Sequence, residues 1–358
     1  MIALNKPLTP SLVKLSKYLD QVNKNGWYTN FGPLHQELTK RLEEYLGVKN
    51  LLLVSNGTLA IQVACKALNI NSAITTPFSF VATTSSLLWQ GIDIAFSDID
   101  PLSYNLCPIA LDEALAKDDS YDGIVATHVY GNPCDVYGIS SVASKYNKKV
   151  VYDAAHAFGV QYKGESLLNY GDISTLSFHA TKIFHSIEGG ALIINDDSLV
   201  EKARYLINFG IKNTEEIPEL GINAKMNEFE AAMGLCVLDD MQQLDIKRKF
   251  VCELYKKELK GVVKFQQQNE DSTQNYSYFP IILESKEQLK KIEKALNEKD
   301  IIPRRYFYPS LDTLSYISAK NFCKNSRDIA SKILCLPMYP ELDSANQKEI
   351  IKVLKTCI

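Results

Sequence analysis

Residues 175–195 read TLSFHATKIFHSIEGGALIIN, and the fold turns on them. The two ends, 175–178 (TLSF) and 191–195 (ALIIN), are short apolar runs bounded by polar or glycine-containing segments, which marks strands of a buried sheet rather than helices. Outward from there, the same kind of run recurs at 51–55 (LLLVS), 73–76 (AITT), 92–96 (IDIAF), 123–127 (GIVAT) and 149–153 (KVVYD), so about seven strands are expected. Stretches with helical periodicity lie between them at 58–68, 80–90, 109–116 and 136–146, each long enough to cover a face of the sheet. This alternation is the rhythm of an α/β sheet, and near-continuous apolar strands imply cover on both faces. Beyond Asn223 come a long helical stretch over 227–259 and a second, smaller α/β set containing 276–283, 286–299 and 346–354. A large domain over residues 1–240 and a smaller C-terminal α/β domain over 241–358 are therefore expected, with QQQNEDSTQN at 266–275 as an exposed polar loop.

The 358 residues suit two lobes with a cleft between them. Apolar residues at 46% and charged residues at 23% argue against a disordered chain, a collagen-like repeat or a long coiled coil. A net charge of -3 lacks the basic excess of a phosphate-backbone binder, so nucleic acid is not an expected partner. The start, MIALNKPLTPSLVKL, does not read as a secretory signal, and no run of 18 apolar residues occurs, so a cytoplasmic location and no membrane partner are expected. Cysteines scattered without a CxxC pair fit free thiols, and the histidines form no HExxH or zinc-spaced set, so no metal is expected.

Open α/β sheets bind ligands at the carboxyl ends of their strands, which are unusually polar in this chain. Ser55-Asn56-Gly57-Thr58 leads straight into the helix TLAIQVACKAL, and reads either as an N-cap or as an anion site at a helix N-terminus. It is neither a Walker A loop nor a GxGxxG turn. KVVYD ends in Asp153-Ala154-Ala155-His156: either a capping carboxylate with a loop histidine, or a half-buried carboxylate that needs a cation or donor. Lys182 is either a surface lysine or a desolvated, nucleophilic amine, lodged between a buried strand and the pair Gly189-Gly190. Together the three pieces meet the needs of pyridoxal phosphate: a lysine for a Schiff base, an acid for the pyridinium nitrogen and a helix N-terminus for the phosphate.

The segments SNGTLAI (55–61), TTPFSFVATTSSLLWQGIDIAFSDID (75–100), HVYGNPCDV (128–136), VVYDAAHAFG (150–159), LSFHATKIFHSIEGGALIIND (176–196) and GINAKMNEFEAAMGL (221–235) resemble, in order, the successive signatures of the DegT/StrS sugar aminotransferases. TNFGPLHQ (29–36), PFSFVATTSSLLWQGI (77–92) and RRYFYPSL (304–311) are most similar to the bacterial members that make dTDP-4-amino-4,6-dideoxyglucose for O-antigen assembly. The resemblance implies the type I, aspartate aminotransferase-like fold of pyridoxal 5'-phosphate-dependent transferases, with a mixed seven-stranded sheet and active sites shared across a homodimer. It implies that Lys182 forms the Schiff base and carries the proton, that Asp153 pairs with the ring nitrogen and that His156 meets the phenolic oxygen. It further implies that Phe80 stacks on the ring with Ala155 behind it, and that Gly57, Thr58 and Ser177 hold the phosphate, joined by Asn223 from the second subunit. An aromatic residue and then arginine are common in the family where Ala224-Lys225 stand. The implied donor is L-glutamate and the implied acceptor a nucleotide-linked 4-keto-6-deoxyhexose.

Arg304, Arg305, Tyr306 and Tyr308 are candidates for the diphosphate and sugar because an arginine fork suits phosphate oxygens; the other reading is a solvated pair beside core aromatics. Among rival functions, a dehydratase of this fold would carry histidine in place of Lys182, and a nicotinamide oxidoreductase would need the absent glycine-rich turn. A binding protein that kept the pocket and lost turnover is the third. Amination at C3 or C4 and the linked nucleotide stay open at this level.

Overall fold

Along each central strand, neighbouring residues are buried in different cores. Leu51 and Leu53 belong to one core while Leu52 and Val54 belong to another, and the same parity separates Val150 and Tyr152 from Val151, and Ile193 from Leu192 and Ile194. A period of two with both sets buried is the mark of a sheet covered on both faces. The computed structural model describes residues 1–318 and 321–358. Its elements are, in order, α1 (Leu12–Asn25), α2 (Pro33–Leu46), β1 (Leu51–Val54), α3 (Gly57–Ala67), β2 (Ser72–Thr75), α4 (Val81–Trp89), β3 (Asp93–Phe96), α5 (Pro108–Lys117), β4 (Gly123–Thr127), α6 (Val136–Lys145), β5 (Lys149–Asp153), β6 (Gln161–Tyr162), β7 (Glu165–Ser166), β8 (Ile173–Ser177), β9 (Gly190–Ile194), α7 (Val200–Leu206), α8 (Glu228–Leu238), α9 (Met241–Leu259), β10 (Phe279–Ile282), α10 (Lys286–Asn297), α11 (Lys324–Lys332), β11 (Ile333–Leu336) and α12 (Ser344–Cys357).

Seven strands form the main sheet in the order β1-β9-β8-β5-β4-β2-β3. The pairs β3–β2, β2–β4, β4–β5 and β5–β8 are parallel, whereas β9 runs antiparallel to both β8 and β1, so the sheet is mixed. These are the seven runs expected from the sequence. The expected helical stretch over 227–259 divides into α8 and α9 at Asp239-Asp240, where the two carboxylates turn outward to meet Arg41 at 2.7 Å and Lys14 at 3.0 Å.

A second core gathers α9, α10, α12 and the antiparallel pair β10–β11, spanning residues 251–354. The start of the chain joins it: Ile2 pairs with Ile301, and Leu4 O accepts from Met338 N–H. The polar tract 266–275 is not an exposed loop throughout. The Gln266 amide donates to Ser103 O (2.7 Å) and Val129 O (3.2 Å), and the Asn275 amide to His156 O (2.8 Å) and Phe158 O (3.0 Å), which draws both amides inside as ties between the two cores. Among the described residues no helix is long and apolar enough to cross a membrane, and no group of three or more acidic, histidine or cysteine side chains is arranged to hold a metal.

Candidate active site

The carboxyl ends of β1, β5 and β8 converge on the N-terminus of α3 and enclose a cavity of about 260 Å³. Asn56 is the N-cap of α3, its side chain accepting from Leu59 N–H at 2.8 Å. The N–H groups of Gly57 and Thr58 have no acceptor within the helix and line the cavity together with Ser177. A Cβ at Gly57 would fall 2.8 Å from Ser177 Cβ, and one at Gly190 would fall 2.6 Å from the Asn56 carbonyl carbon. Glycine at both positions is therefore what lets the helix end, β8 and β9 close into one cradle.

At the end of β5, Asp153 is only 6% exposed, yet both carboxylate oxygens have donors. The Thr83 hydroxyl donates to Oδ2 at 2.6 Å and the Ala155 N–H to Oδ1 at 3.1 Å. Ser79 lies 2.7 Å from Thr83 Oγ1 and 3.0 Å from Thr127 Oγ1, extending the chain of hydroxyls. None of these hydroxyls was identified from the sequence; the available signal was polar TTSS on a helix turning its face inward. Replacing Thr83 by valine keeps the shape and removes the donor. It is expected to cost about 1–3 kcal/mol of apoprotein stability by leaving one carboxylate oxygen unpaired, as chemical denaturation would measure.

Lys182 sits in the hairpin loop between β8 and β9, with its amine 3.5 Å from the Tyr278 hydroxyl. Burial pulls this amine from 10.5 down to about 8, against the upward pull of the Asp153 charge. Labelling of the apoprotein with an amine reagent at graded pH, followed by peptide mapping, should show Lys182 becoming reactive through about pH 8. Asp153→Asn removes the charge that raises this value, so the midpoint should move lower; a midpoint that stays or rises contradicts the placement. His156 is buried, accepts from Tyr130 N–H at 3.3 Å and lies parallel to Phe307 at 5.6 Å between ring centres. Burial, aided by the nearby Lys182 charge, holds its pKa well below the ordinary range, so the ring is neutral.

Ala155 and half-exposed Phe80 line the same cavity, Phe80 standing edge-on to Tyr306 at 6.4 Å. Arg304 and Tyr306 also reach it, the guanidinium 4.3 Å over the Tyr306 ring. Arg305 and Tyr308 do not line it: they stack on each other at 3.3 Å, and Arg305 donates to Ala330 O at 3.3 Å. Asn223 is exposed, bridges to Asn208 and lies outside the cavity of its own chain. Tyr278, His179 and Glu188 line the cavity without having been singled out in the sequence.

The cradle fits pyridoxal phosphate on its own chemistry. Free N–H groups at a helix N-terminus suit a phosphate, a buried carboxylate suits a protonated ring nitrogen, and an amine of lowered pKa lines the same cavity. The same features sit in a chain that is 41% identical over 99% of its length to a dTDP-4-amino-4,6-dideoxy-D-glucose transaminase of Shigella dysenteriae, covering 98% of that relative. It is 36% identical to one of Escherichia coli, covering 99% of this chain and 97% of the relative. A crystal structure of DesI in the presence of its TDP-sugar product superposes with a TM-score of 0.94 at 27% identity, over 99% of this chain and 92% of the other. Residues 13–355 match the family as a whole, and with site, fold and sequence in agreement the chain belongs to the DegT/DnrJ/EryC1/StrS aminotransferase family.

Proposed function

We propose that this aminotransferase uses pyridoxal 5'-phosphate to move the amino group of L-glutamate to dTDP-4-keto-6-deoxy-D-glucose, giving dTDP-4-amino-4,6-dideoxy-D-glucose for O-antigen assembly in the cytoplasm. The observation that carries the reading is one cavity holding the Lys182 amine, the Asp153 carboxylate and the open N-terminus of α3. The 41% and 36% identical relatives support the sugar, because both are named for that product. Bound cofactor supplies an electron sink that makes the C–H beside an attached nitrogen acidic.

The chain's own residues do the rest. Gly57, Thr58 and Ser177 would hold the phosphate, and Phe80, Ala155 and the neutral His156 would hold the ring. Asp153, fixed by Thr83 and Ala155, would keep the ring nitrogen protonated through its negative charge. Lys182 Nζ, whose value lowered to about 8 leaves roughly a tenth of it deprotonated at pH 7 and about half at pH 8, takes the proton from the donor carbon and returns it on the other side of the reacting system. Arg304 and Tyr306 offer a cation and a hydroxyl to the anionic and sugar parts of the substrates. Purified protein given L-glutamate and, in turn, dTDP-4-keto-6-deoxy-D-glucose, its 3-keto isomer and the GDP-linked analogue should form aminosugar fastest from the first. Faster amination of either other sugar overturns the substrate.

The active unit in this reading is a homodimer with shared sites. Asn223 is exposed outside its own cavity, among the exposed apolar residues Phe209, Ile217, Leu220 and Ile222. A second copy that buries this patch brings Asn223 to the neighbouring phosphate cradle. Sedimentation should give a dimer at assay concentration, and a fully active monomer refutes the arrangement.

A further inference from the structure

The loop between β8 and β9 is built to set two polar side chains opposite each other. Phe178 N–H donates to Gly189 O and Ala180 N–H to Ile187 O, both at 2.8 Å, so the walls of the loop are paired and His179 faces Glu188. Ile187 takes a φ of 75°, a region a β-branched residue rarely enters, and the Ser186 hydroxyl holds the kink by donating to Glu188 O at 2.6 Å. At Gly189, φ 157°, a Cβ would fall 2.1 Å from Ser186 Oγ, so the kink also demands the glycine. His179 Nδ1 accepts from Thr181 N–H at 3.2 Å, which leaves the proton on Nε2, 3.6 Å from the Glu188 carboxylate. Both side chains are about half exposed and both line the cavity of Lys182.

A half-exposed pair of this kind contributes little to stability, so a structural role does not account for the backbone strain that maintains it. Nor does the chemistry at Lys182 use it, since the charge partner of the amine is Asp153. Glutamate brings carboxylates and no hydroxyl, and a fixed carboxylate in the cavity repels it. A hexose brings neighbouring hydroxyls, each an O–H donor, and a half-exposed carboxylate lining the cavity is the acceptor that matches them.

We propose that Glu188, steadied by His179, recognises the ring hydroxyls of the sugar substrate and so separates the second substrate from the first. This rests on the aminosugar reading above. Glu188→Gln should weaken binding of an unreactive dTDP-linked 6-deoxyhexose bearing a hydroxyl at C4 by roughly tenfold, the worth of one charge-assisted hydrogen bond, in calorimetry. Binding of dTDP alone should stay equal in parent and variant, because Glu188 meets the ring and not the nucleotide. In single-turnover kinetics the apparent affinity for the ketosugar should fall at least tenfold more than that for glutamate, with Glu188→Asp recovering part of the loss.

Equal losses for ketosugar and glutamate, equal losses for dTDP and the dTDP-hexose, or a variant that sediments as a monomer where the parent is a dimer each overturn the proposal. A parent protein that aminates no ketosugar would instead sink the aminosugar reading, while the calorimetric comparison of dTDP-hexose with dTDP still judges Glu188.

Discussion

Lys182→Ala is expected to abolish amino transfer, with a loss of roughly 10⁴-fold or more, because it removes both the attacking amine and the proton carrier. Among the described residues no other lysine lines the cavity, and a guanidinium such as that of Arg304 does not act as a proton acceptor. Cofactor binding should survive, measured by equilibrium dialysis, since the α3 N-terminus, Asp153 and Phe80 are untouched. In the parent, borohydride reduction and peptide mapping should place the pyridoxyl label on Lys182, and a label on another lysine would sink the assignment. The apoprotein should at the same time become more stable. Burial lowers the folded-state value of this amine to about 8 from 10.5, so below about pH 8 folding carries the full penalty of a desolvated ammonium, and the penalty fades as pH rises toward 10.5. Removing the group lifts the penalty, and a melting temperature about a few degrees higher at pH 7 is the expected sign. A lower melting temperature would mean that Lys182 is not desolvated as described.

The main sheet was legible because strands buried on both faces write themselves as unbroken apolar runs, and LLLVS, GIVAT and KVVYD have no competing reading. The strand ILCL of β11 was not, because it follows α11 with no intervening turn residue: Lys332 is helical and Ile333 is already extended, at φ -80° and ψ 135°. Within the site, Lys182, Asp153 and the α3 N-terminus stood out because each ends or follows a strand, where an α/β sheet collects its ligands. The hydroxyls that hold Asp153 did not, since Thr83 lies 70 residues from Asp153 and Ser79 lies 48 from Thr127 in the chain. Tyr278 enters the site from the approach to β10, 96 residues from Lys182, and no local pattern announces that meeting. Tyr308 shows the converse. It follows Tyr306 by two residues, but the chain turns so that Tyr306 faces the cavity while Tyr308 packs under Arg305.

Asp153→Asn is expected to slow the proton-transfer step about a hundred- to a thousandfold while leaving the fold and cofactor binding largely intact. The carboxylate is buried among hydroxyls and a backbone N–H, so its negative charge is screened little and raises the proton affinity of a ring nitrogen placed beside it. Asparagine has the same shape and no charge. Its amide oxygen can still accept from Ala155 N–H, and its NH₂ then faces Thr83 Oγ1, which accepts once its own hydrogen swings toward Ser79 at 2.7 Å. The hydroxyl chain therefore reverses direction instead of breaking, and the variant isolates the loss of charge from the loss of packing. Losing one electrostatic stabiliser in a dry site costs about 2.7–4 kcal/mol, which is the fold-change expected. Single-turnover mixing with glutamate, followed through the cofactor's visible absorbance, measures the step directly. A variant that runs at the parent rate would mean that another group protonates the ring nitrogen, and the site would have to be redrawn around a different orientation of the cofactor.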